Sequence, residues 1–384
     1  MEPPSAMSSP ALFWNPARTT PPPVHRHGPS PRSFHRRLAG YQPTPLVDAP
    51  MLAAGLGISR LWVKDEAWRL GLPAFKMLGA SWASYRLLIA RMGREPEWAT
   101  LDDLSAALDP IKPLTLVAAT DGNHGRAVAR TAKLLGLGAE ILVPAGTVQA
   151  RIDAIASEGA GVEVVDGTYD DAVVSSAARA DADHLVVSDT SWPGYDEVPA
   201  WVIDGYSTIF EEVDEQLQAA NSRPPDVVVV QMGVGALTAA VMAHYRAADG
   251  SGPLSIVVEP DTAACGLRSA EAGELVTVAG PHHSVMAGLN CGRASELAWP
   301  AVVAGADVFV AVGDAAAEQA MRDLATVAIS AGETGGSGLA GLRAFIETEP
   351  GTLGPHSSVL VINTEGPTDP ENYERIVGIA VSAR

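Results

Sequence analysis

Cysteine is almost missing: Cys265 and Cys291 are the only two in 384 residues. That excludes a disulfide-stapled scaffold. With no His/Cys cluster at ligand spacing, it also excludes a structural zinc site, and no metal is expected. His282-His283 is a dipeptide whose side chains diverge, so it makes no metal pair. Two thiols far apart in an acidic chain read as reduced, and so as cytoplasmic. The other reading is a bridge, with Cys265 and Cys291 in two loops that border one active-site mouth. Basic charge is short as well. Lys plus Arg number 26 against 45 Asp plus Glu, a net charge of −19 that excludes nucleic acid and anionic membrane as partners. Long apolar runs are lacking: the longest, Val227 to Ala243, is interrupted by Gln231, Gly233 and Gly235. A membrane helix of about 20 residues fits it less well than a strand (226–231), a glycine turn and a helix (236–246). Early prolines and Glu2 stand where a secretory signal would have basic and apolar regions.

What is present has the rhythm of an α/β enzyme. Residues 1 to about 32 are rich in Pro, Ser and Thr and predict an extended or disordered tail. Short apolar strands then alternate with helical segments. Strands are predicted at 61–64, 114–119, 140–144, 162–165, 184–188, 227–230, 255–258, 308–312 and 359–362. Helices are predicted from Met77 to Arg91, Gly125 to Leu135, Gln149 to Glu158, Asp170 to Asp181 and Trp201 to Ala219. Such alternation predicts mostly parallel sheet covered by helices on both faces. Trp192-Pro-Gly-Tyr195 breaks the pattern and marks a boundary near 190–200.

Lysine is scarce too, and Lys76 sits where a Gly/Pro segment meets a helix start. A lysine there, in an apolar pocket, can lose its proton and attack an aldehyde; a surface lysine is the plainer reading. Three glycine-bearing turns follow strands. Thr120-Asp-Gly-Asn-His-Gly125 offers backbone N–H groups and the Asn123 amide, or simply caps a helix. Gly233-Val-Gly-Ala-Leu-Thr238 is a nest suited to phosphate. It is also a partial dinucleotide fingerprint, with Glu259 about where a ribose-binding acid would sit, so an NAD-dependent dehydrogenase is the rival from another reaction class. Thr364-Glu-Gly-Pro-Thr-Asp369 puts a hydroxyl at a strand end, to face a ring nitrogen or to cap a helix.

In that order the set resembles the fold-type II pyridoxal-phosphate (PLP) enzymes, the tryptophan synthase β and threonine dehydratase group, from about residue 40 to the end. Within it the chain is most similar to the diaminopropionate ammonia-lyase family. The stretches AFKMLGAS (74–81), ATDGNHGRAVA (119–129), SDTSWPGY, QMGVGALTAAV (231–241), MAGLNCG, SAGETGGSGLAGL and NTEGPTDPENYERIVG (363–378) carry the likeness. Asp121 is the distinctive element, since most relatives of the fold have a small residue there. The resemblance implies two lobes of mostly parallel sheet flanked by helices. Residues 36–76 and 191–384 would form the PLP-binding domain, 77–190 a smaller mobile domain with the asparagine turn, and 1–35 a disordered tail. It implies PLP as cofactor, an amino-acid substrate and a homodimer. By position, Lys76 becomes the Schiff-base lysine and Asn123 the contact to the cofactor's ring oxygen. Gly233, Val234, Gly235, Ala236 and Leu237 become the phosphate loop, and Thr364 the hydroxyl at the pyridine nitrogen.

The chemistry of such a lyase sorts the remaining residues. A diamino acid must lose its α-proton, then its β-amine, leaving an aminoacrylate that hydrolyses to pyruvate and ammonia. L and D isomers present that proton on opposite faces, so one base cannot serve both. Lys76 serves one face and Asp121 the other; Asp189, at a strand end, holds the β-ammonium or merely caps the strand. Thr120, Gly122 and His124 complete the substrate-facing turn. A serine/threonine-type dehydratase, or a lyase for a β-substituted diamino acid, is the nearer alternative.

Overall fold

The computed structural model describes residues 10–22, 30–120, 122–246 and 251–380. Eleven strands are present among them: β1 Ala11–Trp14, β2 Leu46–Asp48, β3 Arg60–Asp65, β4 Thr115–Ala119, β5 Gly138–Pro144, β6 Gly161–Val165, β7 His184–Val186, β8 Val227–Gln231, β9 Leu254–Pro260, β10 Val308–Val312 and β11 Ser358–Asn363. They form two sheets. One has seven strands in the order β1-β10-β9-β8-β11-β3-β2, the other four in the order β6-β5-β4-β7. Every pairing is parallel except those of β1 with β10 and β2 with β3, at the two edges of the larger sheet. The apolar runs explain this arrangement. Along β8, Val228 and Val230 join one hydrophobic cluster while Val227 and Val229 join the other. A strand buried on both faces favours apolar residues at consecutive positions, and helices must cover both sides.

The tail expectation is corrected in part. Residues 11–14 are not disordered: they pair in register with β10 from Ala11↔Ala311 to Trp14↔Val308. A further helix spans Pro31–His35. Prolines surround the first of these segments, which disguised it. An edge strand tolerates flanking proline because its outer N–H groups need no partner. Residues 1–9 and 23–29 lie outside the described part. The other segments fall as expected, with shifted ends: helices run Tyr169–Ala177, Glu197–Ala219 and Ala236–Tyr245, and β7 stops at Val186. Cys265 does not lie in a loop; it opens the helix Cys265–Ala272. Both cysteines are buried, and neither forms a disulfide. Among the described residues no helix is long and apolar enough to cross a membrane.

A buried ion network holds the end of β3. Glu212 takes Lys64 Nζ and Arg69 Nη1, each at 2.7 Å, and Arg69 also reaches Glu66 at 2.6 Å. All four side chains are fully buried, so removing one would strand charge in the interior. The network fastens the start of the Lys76 loop to the helix Glu197–Ala219.

Candidate active site

Backbone pairing brings the Lys76 loop to the end of β11. The Phe75 N–H donates to Thr364 O at 3.3 Å, and the Gly366 N–H to Pro73 O at 2.9 Å. Lys76 then starts the helix Met77–Met92 with its side chain mostly buried. Across the cleft, Asp189 follows β7, and its Oδ2 lies 2.6 Å from Lys76 Nζ. Tyr169 Oη donates to the other Asp189 oxygen at 3.2 Å. Burial works to raise the Asp189 carboxyl. The Lys76 and His124 charges and the hydrogen bonds from Lys76 and Tyr169 overcome it and hold the group well below the usual carboxylate range.

One cavity collects almost every residue singled out from the sequence: Lys76, Thr120, Asn123, His124, Asp189, Gly233, Val234, Gly235, Ala236, Leu237 and Thr364 all line it. Gly122 does not. It takes the N-cap position of the helix Asn123–Leu135 at φ +152°, with its N–H donated to Thr120 Oγ1 at 2.9 Å. Asp121 lies outside the described residues. His124 sits behind Asp189: its Nε2 pairs with Val187 O at 2.8 Å, and its Nδ1 is 3.9 Å from Asp189 Oδ2. Glu259 is not in the cavity wall. Its two oxygens accept the Gly266 and Leu267 N–H groups, each at 2.7 Å, so its role is to cap a helix and the ribose-acid reading falls away.

Several cavity residues were not singled out beforehand. Gln231 ends the valine run of β8, and its Nε2 donates to Thr364 Oγ1 at 3.0 Å. Having accepted that bond, the Thr364 hydroxyl can turn its own proton elsewhere. Glu365, fully buried beside Thr364, accepts a bond from Asn123 Nδ2. Burial raises its carboxyl; Arg151 opposes that rise and Glu333 reinforces it. Of the two cysteines expected at the active-site mouth, Cys291 lines the cavity and Cys265 does not. A polar residue closing an apolar strand was the one visible signal for Gln231. Glu365 had none beyond its place next to Thr364.

The glycine loop fits a phosphate group. Gly235 stands at φ +96°, a region side-chain-bearing residues avoid, and aims the loop at the start of the helix Ala236–Tyr245. A Cβ at Gly233 would come within 2.9 Å of Gly288 O, so the backbone lies close to the opposite wall. The first turn of a helix presents N–H groups without intrahelical partners, and these suit an anion. A lysine, a phosphate nest and a neutral hydroxyl around one cavity are the donor set that PLP requires.

The sequence of residues 38–365 matches the family described as "pyridoxal-phosphate dependent enzyme". The chain belongs to this family. Diaminopropionate ammonia-lyase of Escherichia coli (strain K12) is 38% identical over 361 residues, covering 90% of each chain. A crystal structure of the Escherichia coli enzyme with D-serine superposes with a TM-score of 0.87 at 35% identity, over 97% of this chain and 98% of that one. The same enzyme with an aminoacrylate–PLP reaction intermediate gives a TM-score of 0.86 at 34% identity, with the same coverage. These are fold-type II structures, and this PLP-dependent chain shares their architecture.

Proposed function

We propose that this protein is a PLP-dependent ammonia-lyase that converts 2,3-diaminopropionate and water to pyruvate and two molecules of ammonia. The observation that carries the reading is the pairing of Lys76 with Asp189 in a cavity that also holds the glycine loop and Thr364. When bound, PLP supplies the electron sink that lets the α-proton leave. Lys76 carries the cofactor through Nζ and, once released, removes the α-proton on its own face. Asp189 gives up the Lys76 ammonium when Nζ is committed to the cofactor, and its carboxylate would then hold the substrate's β-ammonium beside the Tyr169 hydroxyl. Thr364, its oxygen engaged by Gln231, offers a neutral O–H to the ring nitrogen. The N–H groups of Gly233 to Leu237 hold the phosphate, and Asn123 meets the ring oxygen. Thr120, Gly122 and His124 shape the turn that faces the substrate. Asp121, in the same turn, serves as base on the opposite face for the D isomer.

We assign residues 36–76 and 191–384 to the cofactor-binding lobe and 77–190 to the smaller lobe that closes on it. Membership of the strands in the two sheets supports the division. A homodimer and a cytoplasmic location complete the proposal; light scattering of the purified protein reads the first.

Borohydride reduction followed by peptide mapping tests the cofactor assignment: the label belongs on Lys76. A pyruvate assay with D- and L-diaminopropionate, serine and threonine tests the substrate. Diaminopropionate should be turned over fastest, and faster release from serine or threonine would instead make the protein a dehydratase.

A further inference from the structure

We infer that Glu365 is a positioning residue for Asn123: its carboxylate fixes which end of the Asn123 carboxamide faces the ring oxygen of bound PLP. This rests on the PLP-binding reading above. Glu365 follows Thr364 where β11 ends and is 2% exposed. Its carboxylate is held from the far side, because Oε1 accepts the Thr334 N–H at 3.2 Å in the first turn of the helix Glu333–Thr348. Its backbone is held too, through the Gly332 N–H to Glu365 O at 2.9 Å. A Cβ at Gly332 would come within 2.5 Å of Gly366 O and 3.1 Å of Glu365 Cγ and Oε1, so glycine lets this turn close against the Glu365 segment. The remaining oxygen, Oε2, receives Asn123 Nδ2.

That clamp settles the orientation of the amide. An asparagine carboxamide has two N–H donors at one end and an acceptor at the other. An acceptor-only neighbour draws in the nitrogen end, and one N–H is taken up by Glu365. The second N–H is left to the cavity, which Asn123 and Glu365 both line. The ring oxygen of PLP is an acceptor and needs that donor. Glu333, in the same neighbourhood, accepts Asn372 Nδ2. Asn123 begins the helix after β4 in the smaller sheet, whereas Glu365 follows β11 in the larger one. The orientation of the amide is therefore set across the cleft.

The test uses holoenzyme of the full chain and four proteins: wild type, Glu365→Gln, Asn123→Ala and the double variant. Glutamine keeps the shape. With its amide oxygen committed to the Thr334 N–H, it turns an NH2 group toward Asn123 and forces the carboxamide over. Glu365→Gln should therefore hold PLP about tenfold more weakly, as expected for one lost hydrogen bond to a charged group. It should also redistribute the visible and near-ultraviolet bands of the bound cofactor. In the Asn123→Ala background the same change should add nothing. A Glu365→Gln protein with wild-type bands and affinity would overturn the inference. So would an equal loss with and without Asn123, which would make Glu365 a purely structural residue. Glu365→Met, which lacks the acceptor, gives the same reading should the glutamine variant not fold. A wild type that retains no PLP would instead end the cofactor reading itself, an outcome distinct from a coloured wild type beside an unaffected variant.

Discussion

A second base would allow one site to act on both isomers of its substrate. Lys76 is fixed by the pairing of its loop with β11, and we assign it to one face of the substrate. Asp121, between Thr120 on the cavity wall and the capping Gly122, is our assignment for the other. Asp121→Asn should therefore cut turnover of D-diaminopropionate by ~100-fold or more, the usual loss when a general base is removed, and spare the L isomer. Steady-state pyruvate release from each isomer gives the two kcat/KM values. Equal losses on both would make Asp121 a substrate contact without a face of its own. At this scale the sequence was most legible where a residue type is rare in its setting. Lys76 was found as a lysine at a helix start and Asn123 as an amide in a glycine turn. Gln231 and Glu365 stayed hidden because their roles come from approach in space: each acts on a neighbour 133 or 242 positions away in the chain. No local pattern encodes that.

Elements were legible wherever a glycine turn closely followed an apolar run. β4, β8, β10 and β11 are such runs, and all lie within a residue or two of their expected ends. Ends themselves depend on caps, which side-chain geometry decides. Glu259 shows how much one such cap matters. Its carboxylate accepts two N–H groups of the helix Cys265–Ala272 and is fully buried, and burial outweighs those bonds to push it up to about 7 from 4.5. The folded protein therefore binds a proton between those values that the unfolded chain releases. Stability from this group is greatest below pH 4.5 and is lost as pH rises through 7. The slope is about 1.4 kcal/mol per pH unit, or about 3 kcal/mol across the window. Urea unfolding of wild type and Glu259→Gln at pH 4 to 8 should show the wild type losing that much relative to the variant. His35, fully buried and pushed down to about 3, acts in the acid direction and cancels in this difference. Parallel pH curves for the two proteins would show that the helix N-terminus keeps Glu259 ionised.

At the scale of the whole molecule, the two-sheet plan followed from strand–helix alternation and the family resemblance, while the N-terminal edge strand did not. Four residues between prolines carry too little periodicity to mark a strand, and their partner lies about 300 positions away. Yet β1 closes an edge of the larger sheet. Beyond the four register pairs, Asn15 Nδ2 donates to Val303 O at 2.6 Å and Ala306 O at 2.8 Å, and Arg18 meets the buried Asp307 at 2.5 Å. Removing residues 1–20 should uncover the backbone of β10, whose Val308, Phe309 and Val310 are fully buried. An exposed apolar edge is a template for pairing between chains. Asp307 would keep Arg246 at 2.5 Å, so no buried charge is stranded and the fold should survive. The cofactor site should survive too, because the cavity is built at β8, β11, β4 and the Lys76 loop, with β9 and β10 between it and β1. The truncated protein should melt roughly 5 °C lower than the full chain, aggregate as its concentration rises, and still show bound PLP in its visible spectrum below the transition. An unchanged melting temperature would mean that β1 adds no stability to the sheet; loss of the PLP bands with the fold intact would tie this edge to the active site.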